Sequence, residues 1–384
     1  MVLKKQIFAS VTLVVVALFW LNNSETVKVN AASNQDGQPT PMPTSMIAGN
    51  KQNPVGVLGF NGFSLEVDPL TGLVNPNPDI LNRRPVFIKV SNYPRYSRPQ
   101  AGLSYADMVF EYYIGEEANR FMGVFFGQDV SKIGPVRSGR LVDAELTNMY
   151  GGILGYGNAD PKVDAVLIKE LDQRAISFND SGCPTICGED THSVAGVFAD
   201  SSQLTGYTVR HQIDDTRPDL SGMLFEGKAP QTKNYALNLT VEYSPRDVGQ
   251  WRYDNTSGKY MRWIESQGTG APDDLIPLTD RLNNQQLAFS NIIIIYAKYI
   301  EYAPTLHEIQ IWDNTNGERA LFYRDGMMQE GEWQVPSHNS PIRFYNQYGI
   351  PISLKPGNTW IVITGVSSIF NQTQSGQWKL HFGL

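Results

Sequence analysis

The segment Lys132-Ile-Gly-Pro-Val-Arg137-Ser138-Gly-Arg140 holds the residues best suited to chemistry. Gly134-Pro135 makes a turn, and Ser138-Gly139 exposes backbone amides just where a helical pattern begins at Leu141. Free amides and two arginines converging at a helix start attract phosphate or carboxylate, because the guanidinium fork matches either in a two-point contact. Three-residue spacing puts Arg137 and Arg140 on one side of a helical turn. Upstream stand Asp107, Glu111, Glu116, Glu117 and Arg120, on or beside neighbouring strand patterns. Two readings stay open. In one, the acids are internal ion-pair partners of the arginines. In the other, Arg120, Arg137, Ser138 and Arg140 form an anion site, beside which Asp107 and Glu111 hold a divalent metal such as Mg2+. Without that metal no cofactor is expected.

The two cysteines, Cys183 and Cys187, lie in Ser-Gly-Cys-Pro-Thr-Ile-Cys-Gly. A disulfide closing a tight loop is the simplest reading, with free thiols, a redox pair or a metal site with His192 as the others. The three-residue spacer does not fit a thioredoxin-type motif, and two Cys with one His leave a zinc site incomplete. Other strings fail as motifs. Gly222 to Ala229 resembles a phosphate-binding loop but lacks the magnesium-holding hydroxyl, and Pro230 blocks the helix that should follow. His307-Glu308 starts a zinc-protease motif, but position 311 is Ile. Six of the seven tryptophans lie beyond residue 240, where they fill a β core or form platforms for sugars or peptides.

These residues need elements to position them. Lys4 and Lys5 precede an apolar run from Ile7 to Leu21, the pattern of a secretory signal, short for a spanning helix of roughly 20 residues. Residues 1–31 are therefore expected to be a cleaved signal ending near Val29-Asn30-Ala31, or an uncleaved anchor. No cysteine occurs in residues 1–50, so a lipid-modified N-terminal cysteine is not expected. Residues 32–55 are rich in Gln, Asn, Pro, Ser and Thr and read as a flexible tether.

The fold class expected is α+β: an N-terminal α/β domain with a mixed sheet over 56–230, then a mainly antiparallel β domain over 231–384. In the first, Pro85–Val90, Met108–Ile114 and Phe121–Phe126 read as strands and Gly151–Gly157 as a buried one. Leu141–Tyr150 and the segment after Asp160-Pro161 read as helices. In the second, short strands separated by Gly, Pro and Asn turns begin with Leu239–Tyr243 and suggest a sandwich or barrel. The net charge is −7. Removal of residues 1–31 takes away three Lys and one Glu, a net +2, leaving −9. Such a chain is not expected to bind nucleic acid.

The strings Arg98-Pro-Gln-Ala-Gly-Leu-Ser-Tyr-Ala-Asp107, Phe110-Glu111, Arg120-Phe121 and Lys132 to Arg140 resemble the YerB-like family. So do Tyr323-Arg-Asp-Gly326, Gly331-Glu-Trp333 and Leu354 to Ile361. The resemblance spans residues 83–364 and implies an exported or lipid-anchored bacterial protein with an α/β domain and a β domain. Two positions depart from the family pattern. Gly115-Glu116-Glu117-Ala118 stands where an acidic-Gly-Gly turn is usual, and His192-Ser193 replaces a His-Asn pair. The resemblance carries no activity. It leads to an extracytoplasmic envelope protein, secreted or membrane-anchored, that captures an anionic envelope ligand or a protein partner. Membrane contact is expected only through the N-terminal segment, if uncleaved. A fold-level likeness to LytR-type phosphotransferases supplies the alternative: transfer from a polyprenyl-pyrophosphate-linked glycopolymer. Arg137 and Arg140 would clamp phosphates there, with Mg2+ on Asp107 or Glu111.

Overall fold

A computed structural model of the chain describes residues 56–189, 193 and 195–384. The apolar run Ile7–Leu21, the 32–55 tether and His192 lie outside them. Among the described residues no helix is long and apolar enough to cross a membrane.

Strands β1 (Val86–Val90), β2 (Met108–Gly115) and β3 (Ala118–Phe125) form where β-branched and aromatic runs were expected. Helix α1 (Leu141–Met149), β4 (Ile153–Tyr156) and α2 (Pro161–Leu171) follow. Asp160 caps α2 by accepting the Lys162 N–H, and Val163, Leu167 and Leu171 point into the core. After β5 (Ala175–Ser177), α3 (Ser201–Arg210) lays Leu204 over Gly155 and Ile88. No α-helix is described after residue 210.

The longer strands that follow, and one short edge strand, are β6 (Asn238–Ser244), β7 (Asp247–Asp254), β8 (Lys259–Glu265) and β9 (Leu275–Pro277), then β10 (Asn291–Ala303), β11 (Leu306–Gln310) and β12 (Asn314–Arg324). The chain ends through β13 (Met327–Val335), β14 (Arg343–Tyr345), β15 (Thr359–Gly365), β16 (Ile369–Gln374) and β17 (Gln377–His381).

One mixed sheet of eleven strands runs β14-β13-β12-β10-β15-β2-β3-β1-β4-β5, with β11 on β10. Across the expected boundary at residues 230–231 the α-helices stop, but the eleven-stranded sheet continues through strands from both sides. β15 inserts in parallel between β10 and β2, pairing Ile293 with Ile361 and Ile361 with Phe110. Every residue of β15 is buried, as a near-continuous apolar run in parallel pairing requires. A second sheet of seven strands, β9-β8-β7-β6-β17-β16 with Ala288–Phe289 on β8, stacks on one face of the first. β6 alternates between core and surface, so only one of its faces is covered.

Trp251 of β7 and Trp360 of β15 meet edge to face at 5.0 Å between the sheets. Trp251, Trp333 and Trp360 are fully buried, so half of the tryptophans beyond residue 240 are core.

Candidate functional site

The strand pleat decides which side chains can meet. Register pairs Phe110 and Lys89 each with Met122, and Tyr112 with Arg120. Lys89, Tyr112 and Arg120 therefore share the face covered by α1. Glu111 pairs with Phe121 and points the other way, toward the second sheet. Asp107 has the same parity and lies four residues away, roughly 13 Å along an extended chain.

The arginine segment is threaded alongside β1. Val136 bridges Val90, Ser91 N–H donates to Pro135 O at 2.8 Å, and Arg137 N–H donates to Lys89 O at 3.0 Å. Ser138 donates its hydroxyl to Asn158 Oδ1 at 2.7 Å, and Gly139 N–H donates to Asn158 O. Arg140 then stands at the start of α1, its backbone N–H donating to Asp143 Oδ2 at 2.7 Å. This brings Arg137 and Arg140 to Arg120, whose Nη1 donates to Ser138 O at 3.0 Å. The three expected arginines and Ser138 thus gather at one place.

Beneath them lies a feature that the sequence reading missed. Lys89 and Asp143, both fully buried, form an ion pair at 3.1 Å, and the Tyr112 hydroxyl bonds to both. The available signal was a lysine inside the apolar run Val-Phe-Ile-Lys-Val, since a buried charge is kept only where it is used or paired. Asp143 is the one carboxylate in the cluster, and both of its oxygens are occupied, by Lys89 and Tyr112 on one and the Arg140 amide on the other. Four basic side chains therefore face a single engaged acid.

The electrostatics follow. Burial, helped by Arg120 and Arg140 and opposed by Asp143, lowers Lys89 to about 7. Burial first, then Arg140 and Arg137, hold Arg120 well below the usual arginine range. Burial and Arg140 lower Arg137 as well. The Nε atoms of Arg120, Arg137 and Arg140 are all buried and donate to nothing. Four arginines of the described chain are buried as whole residues. Arg83 pairs with Asp129, Arg262 with Glu111 and Arg324 with Asp325. Arg120 alone has no carboxylate partner, whereas Arg137 and Arg140 remain partly exposed above it. Converging donors, excess positive charge and an open side are what an incoming anion requires.

Asp107 and Glu111 do not join this cluster. Asp107 accepts the N–H groups of Phe126 at 2.6 Å and Gly127 at 3.0 Å beside Asp68, and its own burial raises it to about 6 against those hydrogen bonds. Glu111 accepts from Arg262 at 3.0 and 3.1 Å, Asn119 at 2.8 Å and Trp360 at 2.7 Å. Each is committed to these partners, so neither stands where it could hold Mg2+ beside a bound phosphate. No three metal-ligating side chains cluster among the described residues. Nor do these acids pair with the arginines of the segment: Glu111 meets Arg262, not Arg137 or Arg140. Cys183 and Cys187 are joined by a disulfide, with Cα atoms 4.8 Å apart, and Cys187 pairs with Phe198 in a short antiparallel ladder.

Comparison with known proteins places this geometry in context. Residues 70–186 match the family model described as "Protein of unknown function (DUF3048) N-terminal domain". Residues 239–361 match the corresponding C-terminal domain model. The chain is 26% identical over 313 residues to "Putative lipoprotein YerB" of Bacillus subtilis (strain 168), covering 77% of this chain and 85% of that protein. It is also similar to the crystal structure of the Bacillus subtilis YerB protein, with a TM-score of 0.65 and 23% identity. That match covers 78% of this chain and 96% of the other.

Proposed function

We propose that this chain, which belongs to the DUF3048 family of YerB-like proteins, is an extracytoplasmic envelope protein that captures an anionic ligand through Arg120, Arg137 and Arg140. One observation carries the reading: Arg120 is buried with no carboxylate partner beside two arginines whose Nε atoms are also unpartnered. The lipoprotein name of the relative and the Lys4-Lys5 and Ile7–Leu21 pattern support a location outside the cytoplasm. Phosphate or pyrophosphate groups suit the site best, since guanidinium groups bind them in two-point contacts. The phosphotransferase alternative loses support, because Glu111 points to the other face of the sheet and Asp107 is held by the Phe126 and Gly127 amides.

Thermal melting with and without inorganic pyrophosphate tests the proposal. The parent protein should melt higher with the anion. Arg137→Ala should fold normally yet lose that rise, because each charge-assisted contact is worth roughly 1.5–3 kcal/mol. A parent insensitive to pyrophosphate, or a mutant that responds equally, would contradict it.

A further inference from the structure

The outer face of the seven-stranded sheet carries a second built groove, remote in sequence from the arginine segment. A cavity of about 330 Å³ lies over β6, β7 and β17 and under the loop 266–275. That size is at the small end of ligand pockets, which run from roughly 300 Å³ upward. Its floor is made by the outward-pointing residues of alternating strands, among them Asn238, Thr240, Gln250, Arg252 and Gln377.

The floor is ordered by its own bonds. Gln250 Nε2 donates to Thr240 Oγ1 at 3.0 Å, and Gln250 Oε1 accepts from Arg252 Nε at 2.5 Å. The Arg252 guanidinium lies 3.8 Å from the Trp263 ring centre, which holds the group flat. The roof is fixed by Asp274, which accepts the N–H groups of Ser266, Gln267 and Thr269.

The charges sort in the same way. Glu242 is matched by Lys379 at 2.6 Å and His381 at 3.1 Å. Glu265 is taken by Arg95 and Arg98, and Asp274 by the roof amides. Arg252 is left with both terminal nitrogens free of hydrogen bonds to any described residue. A pre-ordered surface of amides and hydroxyls with one unmatched guanidinium fits a ligand rich in hydroxyl or acetamido groups that bears one negative charge.

We infer that this groove binds a saccharide carrying a carboxylate, with Arg252 holding the carboxylate and Asn238, Thr240, Gln250 and Gln377 holding the ring substituents. Calorimetric titration of the folded chain with N-acetylglucosaminyl-N-acetylmuramic acid, and separately with the uncharged N,N′-diacetylchitobiose, tests this. The acidic disaccharide should bind more tightly. Arg252→Gln should weaken it about tenfold and erase the difference between the sugars. Thr240→Val should weaken both, and Arg137→Ala should change neither, which separates this groove from the anion site. No binding of the acidic disaccharide at about 10 mM would overturn the inference, as would undiminished binding by the Arg252 variant.

Discussion

Arg120 is held by the pleat of β3 on the same face as Lys89 and Tyr112, and the chain returns through Arg137 to Arg140 to place two more guanidinium groups beside it. Lys89 reports on what fills the site. Its ordinary value of 10.5 falls to about 7. The unfolded chain thus holds this proton more tightly than the fold, so the fold is penalised below about pH 7 and regains stability as pH rises toward 10.5. An anion above the arginines acts in the opposite direction, raising Lys89 and drawing a proton onto it. Binding of sulfate, which does not titrate in this range, should therefore weaken as pH rises between about 6 and 9. Calorimetry in buffers of different ionisation heat should record net proton uptake near pH 7.5. A pH-independent affinity with no proton uptake would exclude Lys89 from the site.

The β2–β3 hairpin shows how an element can be formed against local preference. Glu116 and Glu117 occupy its two-residue turn with φ of 52° and 59°, and both are exposed. A right-twisted hairpin wants both residues left-handed, a geometry that Asn and Gly adopt and glutamate resists. The preceding Gly115 cannot be anything else, because a Cβ there would lie 1.8 Å from Pro304 O. Glu116→Asn with Glu117→Gly should stabilise the protein by about 1 kcal/mol or more, read from urea unfolding. An unchanged or lowered stability would mean that the glutamates make a compensating interaction. Most strands that position the site were legible, since Val86–Val90, Met108–Gly115 and Asn238–Ser244 follow from β-branched and alternating runs. The arginine segment was legible too, as a turn feeding a helix. What failed was the placement of the acids: Tyr112 pairs with Arg120, so Glu111 beside it must point to the other face, and Asp107, just before β2, is held by the Phe126 and Gly127 amides. β16, β17 and α3 were missed because Asn-, Gln- and Ser-rich runs carry weak strand and helix signals.

At the scale of the molecule, pairing distant in sequence dominates, and no local pattern announces it. β15 joins β2 and β10, while Glu111 of β2 is clamped by Arg262 of β8 between the two sheets. The matched family segments 70–186 and 239–361 therefore share one hydrophobic core. Residues 56–230 expressed alone should fail to fold, because β2 loses β15, one of its two partner strands, and Glu111 loses its counter-charge. A soluble fragment with a cooperative unfolding transition would contradict this. The central claim is that the arginine cluster receives an anion, and a crystal of the protein soaked in pyrophosphate tests it most directly. The account predicts anion density within hydrogen-bond reach of Arg120, Arg137 and Arg140, above the Lys89–Asp143 pair. A fully soaked crystal in which that position stays empty, or in which the three guanidinium groups turn to carboxylates of the protein instead, would contradict it.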